Sequence, residues 1–495
     1  MYVFVTLAHW QACADNNTYA SSLKVKVDQP NIILIMADDL GYGDTGFTGN
    51  KIINTPSLDQ MAREGAIMTN FHAGAPVCSP TRGTYLTGRH HHRYGIFWAN
   101  VGHLPKQEIT LAEVLKGKGY ATGHFGKWHL GTLSKDFSPK GSKRKPVENF
   151  SPPSWHGYDA SFVTESAIAL WDPGQGKRAI NNPFWLDGVA LEPTDSTLKG
   201  GASRVVMDKV LPFIEQAVSK DQPFFSVIWF HAPHKDVIAG PEYLSQYKGH
   251  GEAAHYYGVI TEMDEQIGRL RHELERLGVA RNTLITFTSD NGPEGKKSAG
   301  RTAGVTDGLR GRKRDLYEGG VRVPTLALWP NSIKAGSVID TAASTLDYFP
   351  TINEIVDYQM PDSRPIDGES ILSLWLSNND ASSSSEPAQQ VLKRSKAIPF
   401  YAKNKLSLIE GDFKLVASVN DIEQSVLYNL KFDRSESTDI SAKYPQQVKS
   451  MTEQIKTFIV SAKASHRGDD YPNKNFKPVD VWPQGKRHDK RITHE

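Results

Sequence analysis

The residue types able to carry chemistry fall in five short runs and one further lysine. Asp38-Asp39 and Asp290-Asn291 each follow a stretch of consecutive apolar and β-branched residues. Ligands of open α/β sheets bind just beyond the carboxyl ends of strands, so two oxygen-rich pairs at two such ends could converge on one point. Three carboxylates and an amide oxygen make a hard site suited to Ca²⁺ or Mg²⁺ rather than zinc; each pair by itself is also an ordinary turn sequence. In Cys78-Ser79-Pro80-Thr81-Arg82 the cysteine is a candidate covalent nucleophile, with Arg82 one helical turn beyond it and able to face the same pocket. The same five residues also read as a Pro-punctuated turn before a helix with a buried thiol. Lys127-Trp128-His129, His231-Ala232-Pro233-His234 and Lys313 add cations, together with imidazoles whose neutral-range pKa suits a general acid.

These runs need a scaffold, and the pattern between them supplies one. Asn31–Ala37 is a continuous apolar run, the mark of a strand buried on both faces. A helix is predicted from Thr55 to Ala66, with Thr55 as N-cap and Pro56 at the first position. Leu111 to Lys118 reads as helix, Ala121 to Phe125 as extended, Ser203 to Val218 as an amphipathic helix and Phe224 to Phe230 as a strand. A long helix from Tyr256 to Leu277 ends at Gly278, and the apolar runs Thr283 to Ser289 and Thr325 to Trp329 are further strands. Strands alternating with helices predict a mainly parallel sheet covered on both sides. Residues 135–200 break the rhythm and read as a functional insertion. Beyond Val356 the composition shifts. Ser382 to Ser385 is a low-complexity loop, and Leu406–Glu410, Phe413–Ala417 and Val426–Leu430 read as short strands before a helix from Pro445 to Ala464. The predicted organisation is a lead-in or export segment over 1–29, a catalytic domain over 30–385 and a small antiparallel-sheet-plus-helix subdomain over 386–495. Its polar tail from Asp469 is expected to drape over the surface.

With 495 residues, 39% hydrophobic and 23% charged, the chain is expected to be globular. Its net charge of +2 is uninformative, and no nucleic-acid partner is expected. Basic clusters at Lys140, Lys143, Arg144, Lys145 and at Arg310, Arg312, Lys313, Arg314 could draw in anionic substrates. No transmembrane segment is expected, since no run reaches the roughly 20 apolar residues a bilayer needs. There are 2 cysteines, Cys13 and Cys78; if Cys78 is modified, Cys13 has no partner and no disulfide framework is expected. Cys13 with its polar successors faintly resembles a lipoprotein attachment site. His90-His91-His92 has the composition of a transition-metal tract but sits where the loop after the Cys78 helix belongs. Trp98, Trp155, Trp171 and Trp185 could stack on sugar rings or lie in the core.

Cys-x-Pro-x-Arg at Cys78–Arg82 resembles the signature of the type I, formylglycine-dependent sulfatases. Gly126-Lys127-Trp128-His129-Leu130-Gly131 and Lys313 five residues before Glu318-Gly319-Gly320 match further motifs of that family, in family order. The resemblance implies an alkaline-phosphatase-like α/β/α sandwich and hydrolysis of sulfate esters. It further implies that a formylglycine-generating or anaerobic maturation enzyme oxidises Cys78 to an aldehyde, whose hydrate attacks sulfur with one hydroxyl and expels sulfate with the other. Asp38, Asp39, Asp290 and Asn291 would hold Ca²⁺, with Mg²⁺ as an alternative, and the oxygen of modified Cys78 would join them. Arg82 would stabilise the hydrate, Lys127 and Lys313 would bind sulfate oxygens, and His129 would help deprotonate the second hydroxyl. His234 would protonate the leaving oxygen, with His231 beside it at the substrate. The wording around Gly102-His103-Leu104 and His255-Tyr256-Tyr257 resembles marine bacterial polysaccharide sulfatases, implying a sulfated algal glycan: carrageenan-type galactan first, ulvan or fucan next. Export to the periplasm, medium or a lipid-anchored surface position is expected with this family. Two rivals stay open: a phosphodiesterase or phosphonate monoester hydrolase of the same superfamily, and a non-catalytic glycan-binding relative.

Overall fold

The computed structural model describes residues 29–377, 394–473 and 475–483. Cys13, the Ser382–Ser385 run and the start of the predicted C-terminal subdomain lie outside them.

Ten strands build the main sheet: β1 (Asn31–Ala37), β2 (Ala66–Met68), β3 (Ala121–Lys127), β4 (Ala160–Thr164), β5 (Trp185–Leu186), β6 (Val189–Ala190), β7 (Phe224–Trp229), β8 (Thr283–Ser289), β9 (Leu326–Leu328) and β10 (Ser337–Ile339). Their order is β10-β2-β9-β8-β1-β7-β3-β4-β5-β6. The central run β8-β1-β7-β3-β4 is parallel throughout. Antiparallel pairing enters on both flanks, through β9 against β8 and β5 against β4.

Every residue of β1 is buried, because period-2 alternation sends its side chains into two different cores. Ile33 and Ile35 pack with α1 (Pro56–Glu64), α4 (Ala202–Ser219) and α5 (Ala253–Arg276) on one side. Ile32, Leu34 and Met36 pack with α2 (Cys78–Thr87) and α3 (Leu111–Gly117) on the other. The result is a helix–sheet–helix sandwich. A second, four-stranded antiparallel sheet follows, β11 (Ile398–Ala402) to β12 (Lys405–Glu410) to β13 (Phe413–Ser418) to β14 (Asp421–Asn429), covered by α6 (Pro445–His466).

Several expectations shift. The helix from Thr55 ends at Glu64, and Ala66–Met68 becomes a strand, because the chain turns back at Gly65 to pair with β9. The β3 strand runs to Lys127 rather than Phe125. Residues 135–200 are not only an insertion: β4 lies against β3 inside the sheet, and the β5–β6 hairpin extends its edge. The strand at Thr325 to Trp329 is short and antiparallel. The tail after Asp469 is anchored rather than merely draped, since Tyr471 is buried with its hydroxyl 2.6 Å from Glu108 and Asp470 is paired with Arg89. No helix among the described residues is long and apolar enough to cross a membrane.

Candidate active site

Parallel strands deliver their carboxyl ends to one edge of the sheet, and the chemistry-bearing runs gather there. Asp38 and Asp39 follow β1, and Asp290 and Asn291 follow its neighbour β8. Asp39 takes a left-handed backbone, φ 70°, which short polar side chains tolerate better than most. Its N–H donates to Asp290 Oδ1 at 3.1 Å, and Asn291 Nδ2 donates to Asp39 Oδ1 at 2.8 Å. The two loops are thereby stitched together.

Cys78 is the first residue of α2 and is buried. One turn on, Arg82 donates to Asp290 Oδ2 at 2.6 Å, lies 3.5 Å from Asp38 Oδ2, and packs over the Trp229 ring. Lys127, the last residue of β3, places Nζ 2.6 Å from Asp38 Oδ2. Lys313 arrives from a loop and reaches an Asp39 carboxylate oxygen at 2.7 Å. That loop is docked by glycine contacts: a Cβ on Gly292 would lie 1.9 Å from Gly319 O, and Gly292 N–H bonds Gly320 O at 2.9 Å. Cβ atoms on Gly319 and Gly320 would lie 2.2 Å from Gly311 O and 2.1 Å from Asp315 O, so these two glycines seat the Lys313 segment while Gly292 lets the Asp290-Asn291 turn close on them.

One ligating atom each from Asp38, Asp39, Cys78 and His234 lies within 4.8 Å of the others. His234 Nε2 is 3.7 Å from Asp39 Oδ2, and its side chain keeps 19% exposure at the mouth of the site. His231 is buried and paired with Thr164 Oγ1 at 2.8 Å. It backs the site from the β4 side. His129 does not continue the strand alternation: its φ is 57°, so a turn directs it, with Nε2 2.8 Å from Asn100 Oδ1. Asn100 carried no motif. Glu294 was missed too; it sits 3.5 Å from Lys313 Nζ and 2.7 Å from Arg314.

A further charged cluster lies beneath the Lys313 loop. Glu318, fully buried, pairs with Arg322, with His72 at 3.1 Å and with Lys414 of β13 at 2.8 Å. Lys414 also pairs with Glu436 at 2.9 Å, and Glu436 accepts the Glu318 N–H at 2.6 Å. The small sheet thus reaches under the loop that carries Lys313.

The electrostatics suit a divalent cation. Burial and the neighbouring Asp38 carboxylate push Asp290 up to about 7, even with Arg82 and Lys127 close by. Burial also works to raise Asp38, but Lys127, His234 and Arg82 hold it well below the carboxylate range. Asp38 Oδ1 and Asn291 Oδ1 are buried without a hydrogen-bond partner. Two orphaned oxygens in a carboxylate-rich pocket are the donors a hard cation takes. The Cys78 thiol is pushed up by burial to about 12, so it is not a thiolate at neutral pH. Burial draws His234 down to about 4 against the pull of Asp38 and Asp39.

Residues 30–358 match the family profile described as Sulfatase, and residues 311–464 match that of the C-terminal part of N-sulphoglucosamine sulphohydrolase. The chain belongs to the sulfatase family. It is 33% identical over 421 residues to the steryl-sulfatase of Mus musculus, covering 70% of this chain and 65% of that one. It is 34% identical over 366 residues to the N-acetylgalactosamine-6-sulfatase of Sus scrofa, covering 70% and 66%. This sulfatase-family chain thus spans about two thirds of the length of these relatives. Its fold is that of Ps i-CgsB in complex with k-i-k-neocarrahexaose, with a TM-score of 0.72 at 24% identity over 91% of this chain and 95% of that one. The α/β sandwich with a small C-terminal antiparallel sheet is accordingly the alkaline-phosphatase-like fold of sulfatases.

Proposed function

We propose that this chain hydrolyses sulfate esters on a sulfated polysaccharide or oligosaccharide, carrageenan-type galactan first and ulvan or fucan next. In this reading Cys78 is converted to formylglycine, and Ca²⁺, or Mg²⁺ in its place, is held by Asp38, Asp39, Asp290, Asn291 and the oxygen at position 78. The observation that carries it is the convergence of Cys78 with three carboxylates and with Arg82, Lys127 and Lys313 at one sheet edge.

A hard dication there would polarise a sulfuryl oxygen and favour the ionised form of a bound hydroxyl. A hydrated formylglycine would supply two oxygens on one carbon, which neither serine nor cysteine can offer. The encoded thiol is poorly suited to attack, because burial holds it protonated.

The remaining steps belong to side chains in place. Lys127 and Lys313, both buried against aspartates, are preorganised to meet the negative charge of the transferring sulfuryl group. Arg82 stays paired with Asp290 and Asp38 and holds the carboxylates in register. His234, the partly exposed member of the set, is placed to hand a proton to the leaving alcohol oxygen, the negative charge of a bound sulfate ester acting with Asp38 and Asp39 against the burial that lowers its pKa. His129 presents Nδ1, buried and without a partner, as the acceptor for the hydroxyl proton. His231 supports the substrate side from behind.

The proposal includes a maturation enzyme acting on Cys78, export, and a catalytic domain over 30–385 followed by a C-terminal subdomain over 386–495. The carrageenan assignment is supported by the neocarrahexaose bound to the structural neighbour.

The test pairs two readouts on one active preparation. Sulfate release is followed on sulfated algal oligosaccharides, and the peptide containing Cys78 is weighed. Release together with exchange of sulfur for oxygen at that position is expected. Full activity with the sulfur retained would overturn the mechanism, and converted protein that releases no sulfate from any sulfate ester would overturn the function.

A further inference from the structure

Three imidazoles that the proposed reaction does not use converge behind α2. His90 caps the short turn His91–Tyr94 that follows that helix, and His90, His91 and His92 are all buried. Ring centroids lie 4.2 Å apart for His90–His91, 4.6 Å for His91–His92 and 5.2 Å for His90–His92. One nitrogen from each ring lies within 4.8 Å of the other two. Their rings pack on Phe458, Tyr401 and Trp482, outside the set gathered around Cys78, so the tract needs another explanation.

The hydrogen bonding points to one. Nε2 of His90 and Nε2 of His91 are buried with no hydrogen-bond partner, a state that native interiors avoid unless a water or ion fills it. His91 Nδ1 lies 2.6 Å from the Ile96 carbonyl, so it carries the proton and leaves Nε2 as a lone pair. A remote nitrogen donating to a carbonyl is how metal-binding histidines are usually held. His90 Nδ1 accepts the His92 N–H at 3.2 Å, so ligation through His90 Nε2 requires the other tautomer and gives up that capping bond, a loss the metal bond has to exceed.

We propose that His90, His91 and His92 form a second metal site, built wholly of nitrogen donors, that takes a borderline transition cation of the Zn²⁺ class. Three imidazoles without a carboxylate suit such ions and not the hard cations. The site would staple the two units of the chain: His90 packs on Phe458 of α6, and His92 stacks at 4.1 Å on Tyr401 of β11 beside Trp482. Tyr401 and Trp482, the rings that pack on His92, also line a cavity of about 550 Å³.

The test uses full-length protein without a polyhistidine tag, saturated with Ca²⁺ and then dialysed against Co²⁺. About one equivalent retained per chain is expected, displaced by Zn²⁺. Retention should fall at least tenfold in His90→Phe and His91→Phe, which keep the ring packing. Zn²⁺ should raise the unfolding temperature of the wild type by several degrees and leave the variants unmoved. No retention by the wild type, or equal retention by both variants, would overturn the proposal. Should the variants fail to fold, pulsed EPR of Cu²⁺-loaded wild type decides. Coupling to two or more imidazoles supports the site, whereas one or none places the ion among Asp38, Asp39 and His234 and overturns it.

Discussion

Asn100 Oδ1 sits 2.8 Å from His129 Nε2, and that contact decides which nitrogen of the ring can act. An amide oxygen can only accept, so Nε2 carries the proton and Nδ1 is left with its lone pair. Asn100 holds this position with φ 62°, where asparagine and aspartate are among the few side chains at ease. Replacing Asn100 with Leu should lower kcat by about 10- to 100-fold, as loss of an oriented acid–base group does. Replacing it with Asp keeps the acceptor and should retain most of the rate. Steady-state sulfate release measures both. A leucine variant as active as the aspartate variant would show that the contact does not orient His129.

Lys313 reaches Asp39 from 274 residues away and is held well above the usual lysine pKa: burial would lower it, but Asp39, Cys78 and Asp38 outweigh that. It is therefore a fixed positive charge at any working pH. Lys313→Met should reduce kcat/KM by roughly 100- to 1,000-fold, the range for removing one preorganised donor. Arginine should not restore it, since a planar fork cannot occupy the volume of an ammonium. Steady-state kinetics of each variant on an aryl sulfate and on a sulfated oligosaccharide check both statements.

Lys414 lies between Glu318 and Glu436, with all three fully buried. Lys414→Met strips Glu436 of its cation and leaves it facing a Glu318 that keeps only Arg322 and His72, and breaking one partner out of such a cluster costs about 3–5 kcal/mol. Urea unfolding should show that loss. Adding Glu436→Gln should return part of it, because the repulsion falls with the charge. Additive losses in the double variant would show that the cluster is not coupled.

Glu262 supplies a pH dependence far from the metal-ligand candidates. It is buried beneath the start of α4, accepting the Arg204 N–H at 3.1 Å. Burial raises its pKa from 4.5 to about 8. Between those values the unfolded chain has lost this proton while the folded chain keeps it, so the group's contribution to stability falls as pH rises. Below 4.5 the two states bind the proton alike, and above 8 the decline is complete. The unfolding temperature of Glu262→Gln relative to wild type should therefore climb between pH 5 and pH 8, by scanning calorimetry. A constant difference over that range would contradict the assignment.

Much of this molecule was legible in one dimension. Alternation places both faces of β1 in a core whatever the rest of the chain does, and five of the predicted strands occupy the main sheet near their predicted bounds. The short runs around Cys78, Lys127 and Lys313 were legible because glycine, proline and ionisable residues at fixed spacing leave few other uses. Local pattern failed where pairing overrode it. Residues 135–200 looked irregular, yet β4 is held in the sheet by β3. The first helix looked longer because Ala66 is a good helix former, yet β9 captures that residue as strand.

The sequence by itself determined which residue types were available and that parallel strands would carry them to one edge, since periodicity and motif spacing are local properties of the chain. Tertiary structure alone decided that Asn100 orients His129, that Lys414 of the small sheet and Glu436 of the loop after it underpin the Lys313 loop, and that three adjacent histidines turn inward together. Those contacts join segments that no periodicity relates. They exist only because closure of the sheet and docking of the last helix remove water and leave each polar group to find its partner in the protein.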